Sequence, residues 1–162
     1  MESTFHTCAF PQKSIADKML VFALDEQRYA LRLNSVKRIV RIPEITPLPN
    51  APEIVLGVVN VQGKIIPVID IRRRFRLSHR DLDLSCHLVI ACTSHRPVAL
   101  VVDAAIAVIE RTEEDAIVAE RICPRLSYVE GVVKLDGGLI LIHNLDTFLS
   151  LEEDRLLGQA MA

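Results

Sequence analysis

Residues Gly57 to Phe75, GVVNVQGKIIPVIDIRRRF, decide the fold of this chain. Two runs rich in valine and isoleucine flank Gln62-Gly63, and the glycine supplies the positive φ that a tight turn needs. This pattern predicts a β-hairpin. Its second run is apolar on both sides, whereas a half-solvated strand would alternate with polar residues, so we expect both faces to be covered. Pro67 has no N–H for a ladder, which predicts an edge, a bulge or a strand start there.

The same pattern recurs 74 residues later. Gly131 to Leu149, GVVKLDGGLILIHNLDTFL, aligns with the first stretch without a gap. The identical pairs are Gly57/Gly131, Val58/Val132, Val59/Val133, Gly63/Gly137 and Ile66/Ile140. The preceding segments match as well, since LVFA at 20–23 falls on LVIA at 88–91. The chain is therefore interpreted as two copies of one β module of about 60 residues, a size that buries too little surface to be comfortable alone.

Composition and charge narrow the class of protein. The chain has 162 residues, half of them apolar, and no Trp. No apolar run approaches the roughly 18–20 residues of a membrane span, and the N-terminus lacks the apolar region of a signal peptide. The net charge of −2 attracts neither nucleic acid nor anionic membrane globally. We expect an all-β, soluble, cytoplasmic protein with few short helices.

Three segments outside the hairpins carry their own signals. Residues 1–17 are polar and unpatterned, which predicts a flexible tail. An Asn-Ser pair predicts the cap of one helical turn over Val36–Val40. Asn144 predicts the cap of a last helix from about Leu145 to Leu157, which ends before a glycine.

No motif predicts an active site or a metal site. The Gly57-x5-Gly63-Lys64 spacing resembles a phosphate loop, but it is one residue too long and a strand follows it. Asp70 and Asp103 each end an apolar strand, where a capping role is favoured over a paired-carboxylate site. The histidines show no metal-ligand spacing, and the four cysteines include no C-x-x-C pair, which indicates reduced thiols. We therefore predict no catalytic residue, no metal and no cofactor.

The run Arg72–Arg76 is the largest cluster of charge. Small β-barrels bind single-stranded nucleic acid with such charge together with aromatic platforms. A nucleic-acid-binding barrel that uses this run is therefore the alternative function. The neighbouring strands offer aliphatic residues rather than Tyr or Trp for stacking, so a solvated face or a rim for an acidic protein partner is the favoured interpretation.

Apolar surface beyond what a small barrel needs inside predicts a protein interface. A closed barrel has one interior, so an aliphatic outer face must be covered by the other barrel or by a partner. The candidate residues are Val36, Ile39, Val58, Asn60 and Val108. Packing between the two modules can use all of this surface. Our hypothesis is that the groove left over accepts the apolar face of a partner helix.

The chain resembles the CheW adaptor family of bacterial chemosensory arrays over about residues 18–150. The resemblance is carried by LVFALDEQRYALRLNSVKRIV, by ITPLPNAPEIVLGVVN, by the G-x-x-x-P-V-x-D run that ends at Asp70, and by Gly131–Leu149 with its Asp-Gly turn. It implies one domain over 18–150, made of two intertwined five-stranded SH3-like β-barrels. Residues 151–162 would then be a helix end and tail.

The resemblance also implies a function. Members of this family are adaptors without an active site that couple methyl-accepting chemoreceptors to the histidine kinase CheA, whose regulatory domain is built like CheW. Such an adaptor is cytoplasmic, joins membrane-bound receptor arrays, and contacts the helical tip of the receptor and the kinase. We expect neither nucleic-acid binding nor insertion into the membrane.

The resemblance further implies which residues lie near the receptor-binding groove. By position they are Val36, Arg38, Asn60, Gln62 and Val108, with Val58 beside them. Relatives commonly carry Arg where this chain has Gln62. A neutral amide lacks the fork that binds a carboxylate, so receptor choice or affinity is expected to differ.

Overall fold

A computed structural model describes residues 18–110, 116–118, 129–135 and 138–162. The strands are β1 (Lys18–Leu24), β2 (Gln27–Arg32), β3 (Val36–Arg41), β4 (Val55–Val61), β5 (Lys64–Ile69), β6 (His87–Cys92), β7 (Pro97–Val102), β8 (Ala104–Glu110), β9 (Ala116–Val118), β10 (Val129–Leu135) and β11 (Gly138–His143). The helical segments among the described residues are two α-helices, Ile71–Arg74 and Leu151–Met161, and two 3-10 turns, Leu33–Ser35 and Leu145–Thr147. Within these ranges no helix is long and apolar enough to cross a membrane. The predicted tail 1–17 and the predicted turn Asp136-Gly137 lie outside the described residues.

Two mixed sheets each take strands from both repeats. One has the strand order β8-β1-β2-β11-β10-β9 and the other β3-β6-β7-β5-β4. The hairpin β4-β5 joins β6-β7 through a parallel β5–β7 pair, and β10-β11 joins β1-β2 through a parallel β11–β2 pair. The predicted all-β class is confirmed, and the repeats are interlocked because each hairpin completes the sheet of the other repeat.

The sequence repeat is also a repeat of structure. Residues 74 apart in the two hairpins occupy the same register positions. The matching features are the bulges at Val55/Gly57 and Val129/Gly131, the parallel partners Val68/Ala99 and Ile142/Ala30, and the capping side chains of Asp70 and Asn144. The interpretation of the chain as two copies of one β module is therefore confirmed.

The central hairpin forms as predicted. Gln62 and Gly63 have φ values of 51° and 85°, the backbone that a two-residue turn between twisted strands requires. Pro67 lies opposite Val58, whose N–H and C=O bond instead to Thr46 at 2.8 and 2.9 Å. Parallel pairing with β7 starts only at Val68. Pro67 therefore occupies a position where no ladder bond needs its missing N–H.

Among the residues that the structure describes, the buried apolar side chains form three clusters. One lies between the two sheets and joins Phe22 of the six-stranded sheet to Val89 and Leu100 of the five-stranded sheet. We call this shared cluster the seam. The other two clusters include Val68 of one sheet and Ile140 of the other. Both faces of each sheet are therefore apolar and covered over much of their area, as the sequence of β5 predicted.

The helical turn predicted for Val36–Val40 is wrong. These residues form β3, and the helical segment precedes them as the 3-10 turn Leu33–Ser35. Val36 and Val40 pair with Ala91 and Leu88 of β6. Two β-branched valines suit a strand, and the pairing partner lies about fifty residues away, where a local pattern cannot reveal it.

The C-terminal region holds two helical segments where the sequence predicted one. Asn144 caps only the 3-10 turn Leu145–Thr147. Ser150 then begins the helix Leu151–Met161 with a capping box, in which its side chain and that of Glu153 satisfy each other's backbone N–H groups. The S-x-x-E pattern from Ser150 to Glu153 is the sequence signal for this second start. Gly158 lies inside the helix rather than beyond its end.

The expectation of reduced thiols is wrong for Cys92. Cys86 is a buried free thiol, whereas Cys92 is disulfide-bonded. Spacing along the chain does not reveal which cysteines meet in space, because bonding depends on distances that the fold sets.

Candidate protein interface

The basic run Arg72–Arg76 does not form a free cationic surface. Its first arginine is buried. Arg73 and Arg74 form ion pairs with two glutamates, Glu53 at 3.4 Å and Glu153. Most of the charge in the run is therefore neutralised within the chain. The alternative of a nucleic-acid-binding barrel loses the feature on which it rested, since phosphate binding needs available cations.

Arg72 joins loops that lie far apart in the sequence. Its Nη2 lies 2.7 Å from Asp25 Oδ1 and 2.8 Å from Asp103 Oδ2, and its Nη1 donates to the Ser78 carbonyl oxygen at 3.1 Å. Asp103 Oδ2 also accepts the Asp25 backbone N–H at 2.7 Å and pairs with Arg80 at 2.8 Å. The hydrogen bond from Arg72 lowers the pKa of Asp25. Asp103 caps the β1–β2 turn, and the strand-end role predicted for it is confirmed.

The residues predicted for the partner groove lie on the outer strands of the sheets and on one turn. Three are on β3 and two on β4, which are the two edges of the five-stranded sheet. One forms the β4–β5 turn, and one is on β8, an edge of the six-stranded sheet. In that order they are Val36, Arg38, Ile39, Val58, Asn60, Gln62 and Val108.

Register shows which face of the sheet these residues share. Ile39 pairs with Val89, and Val108 pairs with Leu20. Val89 and Leu20 both belong to the seam, and side chains of directly opposed residues project from the same face. The same reasoning places Val36, which lies opposite Ala91, on the seam face. Val58 and Asn60 lie opposite Pro67 and Ile65, and these share a face with Ile69 of the seam because they are two and four residues from it.

Part of this face stays open beyond the seam. Ile39 is 39% exposed and Ile65 is 54% exposed. Val40 of β3 and Val61 beside the β4–β5 turn pack against the same apolar cluster, so the tip of the hairpin lies near β3. One surface therefore extends from β3 to the tip of the hairpin. We call it the β3 face, and it consists of Val36, Ile39, Val58, Asn60 and Ile65, with Gln62 at the tip of the hairpin. Arg38 lies opposite Ile90 and Lys64 is in line with Ile66, so these two side chains project from the other face of the sheet.

Ile65 is not among the residues predicted for this surface. Alternation along β5 already placed Ile65 on the outer side, and that signal was sufficient to find it. Lys37 sits at a β-bulge between Val36 and Arg38, where an extra residue re-aims side chains. Nothing in the local sequence marks that bulge.

Strand β8 is the repeat equivalent of β3. Ile39 pairs with Val89, and the residues 69 positions from each, Val108 and Leu20, pair in the same way. The bulge recurs as well, since the register of β8 against β1 shifts at Ile106. Val108 is therefore the counterpart of Ile39 on the other sheet, so the predicted site residues divide between two equivalent surfaces. We call the second one, which contains Val108 of strand β8, the β8 face.

Comparisons with known proteins agree with the fold. The family model described as CheW-like domain matches residues 18–153. Chemotaxis protein CheW of Rhizobium meliloti (strain 1021) is 26% identical over 138 residues, which cover 84% of this chain and 89% of that protein. The CheW of Thermotoga maritima is 28% identical over 142 residues, 85% of this chain and 93% of that protein.

A solved structure is similar over the same region. It is the crystal structure of the scaffolding protein TtCheW from Thermoanaerobacter tengcongensis, with a TM-score of 0.76 and 31% identity, and the match covers 85% of this chain and 95% of that one. The family model covers most of the residues, and the interlocked sheets have the same fold as a solved relative. The chain therefore belongs to the CheW-like domain family.

Proposed function

We propose that this chain is an adaptor that couples methyl-accepting chemoreceptors to a CheA-type histidine kinase in a bacterial chemosensory array. Membership of the CheW-like domain family and relatives named chemotaxis protein CheW support this role. The observation that carries the proposal is the β3 face. Part of this side of the sheet is buried in the seam, and the β3 face is the apolar part that stays exposed. The chain is a scaffold rather than an enzyme, and it acts by contact.

The β3 face accepts the helical tip of the receptor's cytoplasmic region. Val36, Ile39 and Val58 supply aliphatic surface for the apolar side of a helix, in the manner of helix-in-groove recognition. Asn60 Oδ1 accepts the Gly63 N–H at 2.8 Å, which fixes the turn beside this surface. Apolar burial contributes about 25 cal/mol per Å² before the costs of association, so we expect a modest affinity.

An adaptor needs a second surface for its second partner. The duplicated fold provides one, because β8 repeats the edge position and the bulge of β3. Val108 is 53% exposed there, and we assign it to contact with a partner on this second surface. The kinase contributes its regulatory domain to the complex. The adaptor works in the cytoplasm and is recruited to membrane-bound receptor arrays through these contacts.

The direct test measures both partners with the purified chain. A soluble helical fragment of a receptor tip and the regulatory domain of the kinase, both from the same genome, are each titrated against it. Saturable binding of both in the micromolar range is the expected result. Absence of binding to both at several hundred micromolar would overturn the proposed function.

A further inference from the structure

Among the described residues the two sheets have four edge strands, and three of these carry a feature that hinders the addition of another strand. Strand β4 is flanked by Thr46, which exchanges backbone hydrogen bonds with Val58 at 2.8 and 2.9 Å. Strand β9 is three residues long, and β3 has three cations among its six residues. Such features protect an edge because its unpaired N–H and C=O groups are otherwise a template for another chain.

Strand β8 is the edge that lacks this protection. Among the described strands it pairs with β1 alone, and five of its seven residues are exposed. Six of the seven are apolar and none is a cation. Ile106 and Val108 are 47% and 53% exposed. A bulge at Ile106 interrupts the strand, but the four residues Ala107–Glu110 keep a regular register with β1. We call these four residues the β8 edge segment, and it is open to pairing.

The repeat shows that the fold does not require an unprotected edge here. Strands β3 and β8 occupy equivalent edge positions with the same bulge. Arg38 and Arg41 of β3, which are both exposed, correspond to Ala107 and Glu110 of β8. The regular part of β3 therefore has an arginine at each end, whereas the β8 edge segment is apolar apart from one glutamate. A strand that covers β8 would remove the need for protecting charges.

The β8 edge segment is complementary to a second copy of itself. A two-fold axis across the strand pairs two copies in antiparallel order, so each contact occurs twice. An axis between Val108 and Ile109 places each of these β-branched residues opposite the other, and opposed pairs of this kind stabilise a sheet. The same axis places Ala107 opposite Glu110 of the second copy. The single charge lies at the end of the segment, so it does not oppose itself.

Strand β3 does not have this complementarity. An axis at the equivalent place, between Ile39 and Val40, would set Arg38 opposite Arg41 of the second copy. Like charges directly opposed across two strands are destabilising. Self-pairing is therefore favoured at one of the two equivalent edges and disfavoured at the other.

We infer that two copies of this chain join through antiparallel pairing of the β8 edge segment, Ala107–Glu110, so that their six-stranded sheets become continuous. Closure about a two-fold axis uses both β8 edges and leaves neither free for further growth. One strand pair buries little area, so the dimer is weak and reversible, with a Kd on the order of 10–100 µM. The inference does not depend on the proposed function. Because the pairing covers Val108, the dimer and a partner bound at the β8 face exclude each other.

The test measures the oligomeric state of the purified chain by analytical ultracentrifugation from about 5 to about 500 µM. The wild type is expected to shift from monomer to dimer across this range. Val108→Lys places an ammonium group within the β8 edge segment and should raise the dimer Kd at least tenfold. The matched control is Ile39→Lys, the same change at the equivalent position of β3, which should leave the Kd within twofold. Thermal unfolding shows that both variants are folded, which we expect because both residues are exposed.

Hydrogen exchange of the wild type gives a second measurement that needs no variant. Amides of Ala107–Glu110 that point away from β1 should exchange more slowly at high protein concentration than at low concentration. A dimer without this slowing, or one that Ile39→Lys weakens as much as Val108→Lys does, is joined by another surface and overturns the inference. A chain that stays monomeric at the highest concentration overturns it as well.

Discussion

Arg72 Nη2 lies 2.7 Å from Asp25 Oδ1, and this ion pair joins the helix after β5 to the β1–β2 turn of the other sheet. The repeat holds a counterpart. Asp146, 74 residues after Arg72, follows β11 and accepts the backbone N–H of Ser94 in the β6–β7 turn at 2.6 Å. Each hairpin therefore ends in a side chain that binds a turn of the opposite sheet. The two repeats are held together by these polar contacts at their ends as well as by the seam between them.

Replacement of Arg72 by Met is expected to lower the free energy of unfolding by about 2 kcal/mol. Loss of one partner from a buried ion pair costs about 3–5 kcal/mol, and we discount this because Asp103 keeps Arg80 and the Asp25 side chain is 49% exposed. Urea denaturation measures the change. The control is Arg73→Met, whose ion pair with Glu53 is exposed and should contribute less than about 0.5 kcal/mol. Equal effects of the two variants would contradict the role of Arg72.

Asp25 should make stability depend on acid. The hydrogen bond from Arg72 holds its pKa below the ordinary value of 3.8 in the folded protein. A lowered pKa in the folded state means that the stabilisation is present above pH 3.8 and is lost as pH falls through the folded value. Other carboxyls with lowered pKa values, such as Asp83, contribute to the same loss. The wild type is therefore expected to lose stability more steeply than Asp25→Asn below that pH, and parallel curves from urea unfolding would refute this assignment.

Two glycines of the central hairpin should respond differently to alanine. A Cβ at Gly57 would lie 2.3 Å from the Thr46 carbonyl oxygen, in a backbone with φ of +155°. Gly57→Ala is therefore expected to cost about 3 kcal/mol, because a backbone atom must move. Gly63 has φ of +85° and open space around it, so Gly63→Ala should cost only the 1–2 kcal/mol of the left-handed conformation. Thermal or urea unfolding ranks the two, and a larger cost at Gly63 would show that this explanation is wrong.

Local sequence predicted those features whose causes are local. The Gln62-Gly63 turn and the strands beside it follow from residues within a few positions of one another, and the repeat is visible because both copies preserve their glycines. The strand β3 was mistaken for a helical turn because its partner β6 is remote in sequence. The burial of Arg72 was equally hidden, since its partners Asp25 and Asp103 lie 47 and 31 residues away. Nothing in an arginine run distinguishes the residue that a fold will bury from the one it leaves in water.

The C-terminal helix shows a different limit of prediction from local sequence, because two caps and one glycine give competing signals for its ends. Asn144 and Ser150 are both good caps, and only one begins a full helix. The capping box of Ser150 with Glu153 decides between them locally, and the burial of Leu157 holds the helix against the protein. Because glycine favours helix ends, Gly158 predicts the end of the helix. It lies inside the helix beside Arg96, whose Nη2 is 3.3 Å from the position that a Cβ would take.

Gly158→Ala is expected to stabilise the C-terminal helix by up to about 1 kcal/mol. Alanine has the higher helix propensity by about that amount, and the atom that a Cβ would meet is the end of a flexible arginine side chain, which can shift. Hydrogen exchange of the amides in Leu151–Met161 measures the effect. Ser150→Ala provides the opposite change, since loss of an N-cap costs about 1 kcal/mol and should speed the same exchange. Faster exchange in Gly158→Ala would mean that the Arg96–Asp154 ion pair, at 3.2 Å, is disrupted and matters more than propensity.

Ile39→Asp should separate the two proposed partners of the adaptor. A carboxylate in the middle of the β3 face removes apolar contact worth about 1.5–3 kcal/mol, so binding of a receptor-tip fragment is expected to weaken at least tenfold. Binding of the kinase regulatory domain, measured in parallel by titration calorimetry, should be retained, because the second partner is assigned to the β8 face. Leu151→Asp is the matched control, because Leu151 is also a large apolar residue, 88% exposed, on the C-terminal helix. If both variants weaken the binding of the receptor fragment equally, a nonspecific loss of apolar surface accounts for the result. The β3 face is then not the binding site of the receptor.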